Sequence, residues 1–165
     1  MKRSGKISFI YTELDKPEEL EPADRELLMS AIKAAGNAYS PYSGFRVGAA
    51  LRLESGTVVT GTNVENAAFP SGICAERNAI ANASANYPGD KPEALAIAAI
   101  SGRKQTPDPV SPCGNCRQVI AEEELRHTGN IKIILGGSKK IRIIKSAGDL
   151  LPLQFNSDSL KATPR

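Results

Sequence analysis

The sequence of 165 residues predicts an α/β fold, a three-layer α/β/α sandwich in which a five-stranded mixed sheet carries helices on both faces. Segments that alternate like strands are separated by segments with the apolar spacing of helices. Residues 95–100 are almost entirely apolar, which is typical of a central strand covered on both faces. Residues 131–135 and 141–144 also resemble strands, and the loop between them is long enough for an antiparallel hairpin but not for a parallel crossover.

The first half of the chain contains one helix and two strands. Residues 1–20 are polar, with one alternating patch that fits an added edge strand, formed by Ile7, Phe9 and Tyr11. Pro22 opens a helix, because proline is favoured in the first helical turn. The apolar face of this helix comprises Leu27, Leu28, Ala31, Ile32 and Ala35. A loop at 39–44 then leads to strands at 45–53 and 58–64.

Two helices in the second half carry the cysteines. One begins near Cys74 and ends at about Asn86, and the other follows a proline-rich loop at 107–112. The inward positions of the second helix are predicted to be Val119, Ile120 and Leu125. The single histidine, His127, falls near the far end of this helix and is expected to be a surface or C-terminal helix residue.

The composition limits the function classes. At 41% hydrophobic residues the chain can bury a core, and its formal charge of +3 comes from scattered lysines and arginines rather than from the clustered basic face of a nucleic-acid-binding protein. No apolar run approaches the ~18 residues of a membrane span. Three cysteines that include a C-x-x-C pair favour metal binding over disulfides, so we expect a cytoplasmic protein that binds neither nucleic acid nor membrane.

The cysteines and one glutamate form the most informative pattern. Cys74 is followed two residues later by Glu76, and Cys113 and Cys116 form the C-x-x-C pair. Three thiolates leave the fourth place of a tetrahedral zinc open, which distinguishes a catalytic zinc from a structural one. Both cysteine groups lie at predicted helix starts, where backbone N–H groups stabilise thiolates. The layout is that of zinc nucleobase deaminases.

Such a site has a defined chemistry. A zinc ion can lower the pKa of a bound water from about 15.7 to roughly 7, and the hydroxide then attacks an amidine-like carbon such as C4 of cytosine. Glu76 is expected to take the water proton, pass it to the ring nitrogen and later protonate the departing amine. Three thiolates leave the zinc site with excess negative charge, so we hypothesise that Arg77 or Arg117 hydrogen-bonds a cysteine sulfur.

A purely structural zinc is the alternative at this point, because a C-x-x-C pair alone is often half of such a site. A structural zinc needs a fourth ligand. His127 is the only histidine and lies one helix length from Cys116, which favours the catalytic interpretation.

Several segments resemble the small homotetrameric cytidine deaminases, and the resemblance covers about residues 23–157. The matching segments are 40–51 (SPYSGFRVGAAL), 63–69 (NVENAAF), 74–77 (CAER), 111–120 (SPCGNCRQVI) and 150–155 (LLPLQF). The resemblance implies a deaminase-like catalytic domain at 23–157, with an N-terminal extension at 1–22 and a C-terminal tail at 158–165. It also implies one Zn²⁺ per subunit and hydrolysis of cytidine and deoxycytidine to uridine and deoxyuridine, with release of ammonia, in pyrimidine salvage.

The same resemblance gives roles to individual residues. Asn63 and Glu65 correspond to the pair that hydrogen-bonds the ribose 3′-hydroxyl. Phe45 corresponds to the residue that packs against the nucleoside, and the backbone of Ala75 to the group that reads the base edge. Phe155 corresponds to an aromatic residue that stacks on the base from a neighbouring subunit, so the homotetramer would share its active sites between subunits.

Three competing functions remain at this stage. An enzyme acting on a blasticidin-like nucleoside antibiotic is disfavoured by the Asn63 and Glu65 pair, which fits a ribose. A polynucleotide deaminase usually has histidine where this chain has Cys74, and often a helical crossover where this chain has the short loop at 136–140. A non-enzymatic zinc module is the third alternative, and ammonia release from cytidine would separate it from a deaminase.

Overall fold

The computed structural model of the chain describes residues 3–160. Its strands are β1 (Tyr11–Leu14), β2 (Phe45–Leu53), β3 (Val58–Thr62), β4 (Pro92–Ser101), β5 (Lys104–Gln105), β6 (Lys132–Gly136) and β7 (Ile141–Ile144). Its α-helices are α1 (Pro22–Ala35), α2 (Ala75–Asn86) and α3 (Gly114–His127). Short 3-10 helices occupy Pro17–Glu19, Phe69–Ser71, Ala147–Leu150 and Ser157–Leu160. Residues 1–2 and 161–165 of the predicted extension and tail lie outside the described residues, and the domain boundaries stay a prediction.

The strands form one mixed sheet in the order β1-β7-β6-β4-β2-β3, and β5 pairs with the end of β4. β4 and β6 are parallel, and β6 and β7 form the predicted antiparallel hairpin. The α/β class and the five predicted strands are confirmed, but the strand count of five is wrong, because residues 3–160 contain seven. The count of five did not include β1, which was predicted separately as an added edge strand, or β5, which has only two residues.

Alternate side chains of β4 point to opposite faces of the sheet and pack against different helices. Leu95 and Ile97 belong to a core that also contains residues of α2 and α3. The intervening alanines face α1 on the other side of the sheet; they are Ala94, Ala96 and Ala98. Large side chains therefore fill the space under two helices, whereas alanines let one helix lie close to the strand.

Glycines in β2 and β3 allow the same close approach. A Cβ at Gly48 would overlap the backbone of α1, and a Cβ at Gly61 would overlap the Ala75 oxygen and the Ala79 nitrogen of α2. Gly48 and Gly61 therefore set how closely α1 and α2 lie on the sheet. Because Cys74 is the N-cap of α2, the packing at Gly61 also fixes the position of the first cysteine.

Helix α3 differs from the prediction at its C-terminal end. Ile120 is buried as predicted, but Leu125 is 44% exposed, so its predicted inward position is wrong. Glu124 takes the inward position instead, where its carboxylate accepts hydrogen bonds from the backbone nitrogens of Ile131 and Ala147, both at 2.8 Å. An acidic side chain can face inward here because it satisfies two backbone donors that are partly buried.

The N-terminal segment is part of the sheet. β1 pairs antiparallel with β7, from Tyr11 opposite Ile144 to Leu14 opposite Ile141. The predicted edge strand is therefore present, but it begins at Tyr11, so Ile7 and Phe9 precede it. Within residues 3–160, no helix combines the length and the apolar character that a membrane span requires.

We predict that Gly61→Ala lowers the free energy of unfolding by about 1–3 kcal/mol, because the added methyl group meets backbone atoms that cannot move without shifting α2. Urea denaturation measures the change. Gly129→Ala is the matched control, since the nearest atom to its new Cβ is the His127 oxygen at 3.9 Å. Equal stability losses in the two variants would contradict the assigned role of Gly61.

Candidate metal centre and substrate cavity

Three cysteine sulfurs meet where the N-termini of α2 and α3 face each other. Cys74 is the N-cap of α2, Cys113 is the N-cap of α3, and Cys116 lies in the first turn of α3. All three Sγ atoms lie within 4.8 Å of one another, and those of Cys113 and Cys116 are 3.6 Å apart. Tetrahedral zinc with Zn–S bonds of about 2.3 Å places its sulfurs about 3.8 Å apart, so the three cysteines fit this ion.

The pKa values of the three thiols differ, and a bound cation would favour the thiolate form of all of them. Burial raises the pKa values of the Cys74 and Cys116 thiols, and the nearby charge of Glu76 adds to the effect. Burial acts on Cys113 as well, but hydrogen bonds from the backbone nitrogens of Cys116 and Asn115 outweigh it and lower the pKa of Cys113. The helix start and the neighbouring thiols of Cys116 and Cys74 therefore favour the thiolate of Cys113, and a divalent cation would stabilise all three thiolates.

Glu76 is buried beside the sulfurs, with an exposed fraction of 5%. Burial raises the pKa of its carboxyl group above the ordinary value, and hydrogen bonds from its own backbone N–H and from Cys116 partly oppose this rise. A raised pKa makes a carboxylate a better proton acceptor, which is the property that a general base needs.

A cavity of about 630 Å³ adjoins the sulfurs. This volume lies in the range of about 300–1,000 Å³ that is typical of small-molecule sites. The lining includes Cys74, Ala75, Glu76 and Cys113 from the helix starts, Asn63 and Glu65 from the segment after β3, and Tyr42 and Ser43 from the loop before β2. The cavity is therefore bounded by the metal centre and also reaches polar groups of two loops.

The two polar residues after β3 are held by hydrogen bonds to the region of β2. The Asn63 side chain accepts from the Val47 nitrogen at 2.7 Å and donates to the Phe45 oxygen at 3.0 Å. The Glu65 carboxylate accepts from the backbone nitrogens of Tyr42 at 2.9 Å and Ser43 at 3.2 Å, and also from the Ser43 hydroxyl. Both side chains are thus oriented without a ligand.

The structure brings most of the predicted site residues together. Those that line the cavity or hold the sulfur cluster are Cys74, Cys113, Cys116, Glu76, Asn63, Glu65 and Ala75. Phe45 is half-buried but does not line the cavity, and Phe155 is 58% exposed outside it. The roles given to these residues stay predictions.

His127 is placed away from the metal centre. It is the last residue of α3, a helix whose first turn contains Cys116, and 14 residues of α-helix span about 21 Å. Its Nε2 lies 3.4 Å from a carboxylate oxygen of Glu123. Within residues 3–160, the three cysteines are the only cluster of three histidine, cysteine or acidic residues that could hold a metal.

The two arginines differ in their contacts. The Arg117 guanidinium donates to the oxygens of Pro112 at 2.8 Å and Leu150 at 2.9 Å, which ties α3 to the C-terminal segment. Arg77 is half-buried, and among residues 3–160 its side chain makes no hydrogen bond or ion pair. Of the two, Arg77 is therefore the one whose charge is not already engaged.

Sequence reasoning gave no role to Tyr42, Ser43 or Glu124. Tyr42 and Ser43 line the cavity, yet their segment was predicted only as a loop from its composition. The signal that was present is the alternation of proline, serine and glycine before a strand, which indicates a turn but not what the turn binds.

Comparisons with known proteins agree on one family. Residues 22–128 match the family model described as the cytidine and deoxycytidylate deaminase zinc-binding region. A cytidine deaminase of Halalkalibacterium halodurans is 38% identical over 138 residues, 83% of this chain and 98% of that protein. The crystal structure of cytidine deaminase from Burkholderia pseudomallei has 40% identity and a TM-score of 0.65, covering 79% of this chain and 97% of that one. That from Mycobacterium tuberculosis has 37% identity and a TM-score of 0.62, covering 79% and 95%.

The matched zinc-binding region contains all three cysteines, and their sulfurs form a group that could hold the metal. We predict that Cys116→Ser lowers the zinc content to less than about a tenth of an equivalent per chain, since a serine hydroxyl is a poor ligand beside two thiolates. Elemental analysis of purified protein measures this. Asn115→Ala is the control, because it keeps the backbone N–H that stabilises Cys113. Zinc that survives in the serine variant would contradict the ligand assignment.

Proposed function

Because the chain belongs to the cytidine and deoxycytidylate deaminase family of zinc-dependent hydrolases, we propose that it converts cytidine and deoxycytidine to uridine and deoxyuridine with release of ammonia. We place this reaction in pyrimidine salvage in the cytoplasm. The observation that carries the proposal is the buried carboxyl of Glu76 beside three convergent cysteines, at the wall of a cavity large enough for a nucleoside.

The bound zinc supplies Lewis-acid chemistry that makes an attacking water acidic at neutral pH. Glu76 moves the protons. Its carboxylate accepts one proton from the water and delivers it to N3 of the base, as the bond between the water oxygen and C4 forms. It then takes the second proton from that oxygen to the amino group, so that the C4–N bond breaks and ammonia leaves. The product keeps a carbonyl at C4 and a proton on N3, which balances the reaction.

The rest of the cavity binds and orients the nucleoside. The Ala75 backbone adjoins both Cys74 and Glu76, where a base presenting C4 to the site would bring its edge. Asn63 and Glu65 are already fixed by hydrogen bonds, so they can bind a sugar hydroxyl with little loss of side-chain entropy. Phe45 at the start of β2 does not line the cavity, so its proposed packing against the nucleoside rests on the resemblance alone.

We propose that a neighbouring subunit completes the site, as part of a homotetramer. Phe155 and Leu153 are 58% and 92% exposed, so neither side chain is buried in the core of its own subunit. The Gln118 side chain holds the Phe155 oxygen at 2.9 Å, so the position of this segment is fixed by α3. Phe155 is therefore held in an exposed position from which it can stack on a base bound by another subunit.

Arg77 completes the proposal as the residue that offsets the negative charge of three thiolates around the zinc. It directly follows Glu76, and its guanidinium is not engaged elsewhere within residues 3–160.

The free nucleoside is the proposed substrate rather than a polynucleotide. The β6–β7 hairpin lacks the helical crossover that is frequent in polynucleotide deaminases, and the net charge of +3 is small. Ammonia release from cytidine, compared with release from single-stranded oligonucleotides that contain cytosine, tests the proposal. Turnover of the oligonucleotides alone would overturn it.

We predict that Glu76→Gln lowers kcat for cytidine by about 10²–10⁴-fold or more, because it removes the proton carrier while keeping the side-chain shape. Zinc content and the melting temperature should stay close to those of the original protein. Glu122→Gln, a change on the exposed side of α3, is the matched control and should retain full activity. Near-normal turnover in the Glu76 variant would show that another group carries the proton.

We predict that Phe155→Ala raises KM for cytidine by about tenfold, the loss expected for one base-stacking aromatic of roughly 1–3 kcal/mol. Light scattering should still give the mass of four chains. Leu160→Ala, another exposed apolar residue of the C-terminal segment, serves as the control. A monomeric or unfolded Phe155 variant would assign Phe155 to assembly or folding instead.

A further inference from the structure

The Glu65 carboxylate is held by donors from a single loop, residues 40–44. Its Oε2 accepts from the backbone nitrogens of Tyr42 at 2.9 Å and Ser43 at 3.2 Å. Its Oε1 accepts from the Ser43 hydroxyl alone. Ser43 is therefore the only residue in the described part of the chain that fixes the second oxygen of this carboxylate.

The direction of the Ser43 hydroxyl is determined by its two partners. The Ser43 oxygen accepts a hydrogen bond from the Phe45 nitrogen at 2.9 Å, and its single proton points to Glu65 because an ionised carboxylate can only accept. The same hydroxyl lowers the pKa of the Glu65 carboxyl more than any other group does. Ser43 thus connects Glu65 to the first residue of β2.

The hydrogen-bonding capacity of Glu65 is nearly filled. A carboxylate offers about four lone-pair sites, and the loop donors occupy three of them. The remaining one belongs to Oε1, the oxygen that Ser43 holds. Ser43, Glu65 and Asn63 all line the cavity, so a ligand hydroxyl that binds Glu65 has one site to use there.

We propose that Ser43 is a positioning residue for sugar recognition, and that it orients Oε1 of Glu65 so that its free lone pair accepts the 3′-hydroxyl of the nucleoside. This inference rests on the proposed function, in which Glu65 binds that hydroxyl. Without the Ser43 hydroxyl, the carboxylate is anchored through Oε2 only and can rotate about its last side-chain bond. The sugar then binds a mobile acceptor, while the base and the metal centre are unaffected.

The test measures KM and kcat for cytidine and for 3′-deoxycytidine, which lacks the hydroxyl in question. Ser43→Ala should raise KM for cytidine about tenfold, the effect of losing one hydrogen bond to a charged group. The kcat of this variant, and its KM for 3′-deoxycytidine, should change less than about twofold.

A second comparison uses Ser43→Thr and Ser43→Val. Threonine and valine side chains have nearly the same shape, but only threonine has a hydroxyl, so only the threonine variant should keep the low KM for cytidine. Ser40→Ala is the loop control, because the Ser40 hydroxyl makes no hydrogen bond within residues 3–160.

Glu65→Gln separates failure of this inference from failure of the proposed function. If Glu65→Gln removes the preference for cytidine over 3′-deoxycytidine and Ser43→Ala does not, Ser43 is not a positioning residue although Glu65 binds the sugar. If Glu65→Gln leaves the preference intact, both the sugar role of Glu65 and the role of Ser43 are overturned. Equal KM increases for both nucleosides in Ser43→Ala and Ser43→Val would make Ser43 a structural residue of the loop. In a double variant that carries both Glu65→Gln and Ser43→Ala, the preference for cytidine over 3′-deoxycytidine should be the same as in Glu65→Gln alone.

Discussion

The concentration of negative charge at the starts of two helices is the constraint on which the site depends. Three thiolates and the carboxyl of Glu76 lie together, and burial raises the pKa values of Cys74, Cys116 and Glu76. Such a group is costly to ionise without a cation, and the helix N-termini offset only part of the cost. The fold therefore has to hold two helix starts face to face at one edge of the core, so that one divalent cation can offset part of the charge of all four groups.

Residues outside the metal centre hold the two helix starts together through the packing of the sheet. Gly61 lets α2 lie on β3, and the core beneath α2 and α3 is formed by large side chains such as Leu95 and Ile97. At the other end of α3, Glu124 binds backbone donors of the segments that follow the helix. Because both helices are held by packing, their first turns lie close together.

The sequence predicted the metal-binding cysteines because each half of the cluster is local: Cys113 and Cys116 are one helical turn apart, and Glu76 is two residues from Cys74. Spacing does not show what joins the two halves, because the packing of α2 beside α3 brings the three sulfurs together. The fold class followed from the apolar β4 and the short β6–β7 loop. The contacts that spacing could not predict join distant segments: Ser43 reaches Glu65 across 22 residues, and β1 meets β7 across more than 120. Leu125 was assigned inward on its apolar character, whereas the helix places Glu124 there.

The two halves of the cavity are held in different ways. The residues of the metal centre lie on helices, whereas the residues proposed to bind the sugar lie on a segment between secondary-structure elements. The cysteines and Glu76 lie on helices packed against the core, where the geometry of a proton transfer can be kept within a few tenths of an ångström. Asn63 and Glu65 lie on an exposed segment and are fixed by hydrogen bonds to β2 and to the loop before it. In the proposed function, changes in that loop would alter the fit of the sugar at little cost to the metal centre. Variation in nucleoside preference is therefore expected to arise from residues 40–44 and 63–69 rather than from the helices that hold the zinc.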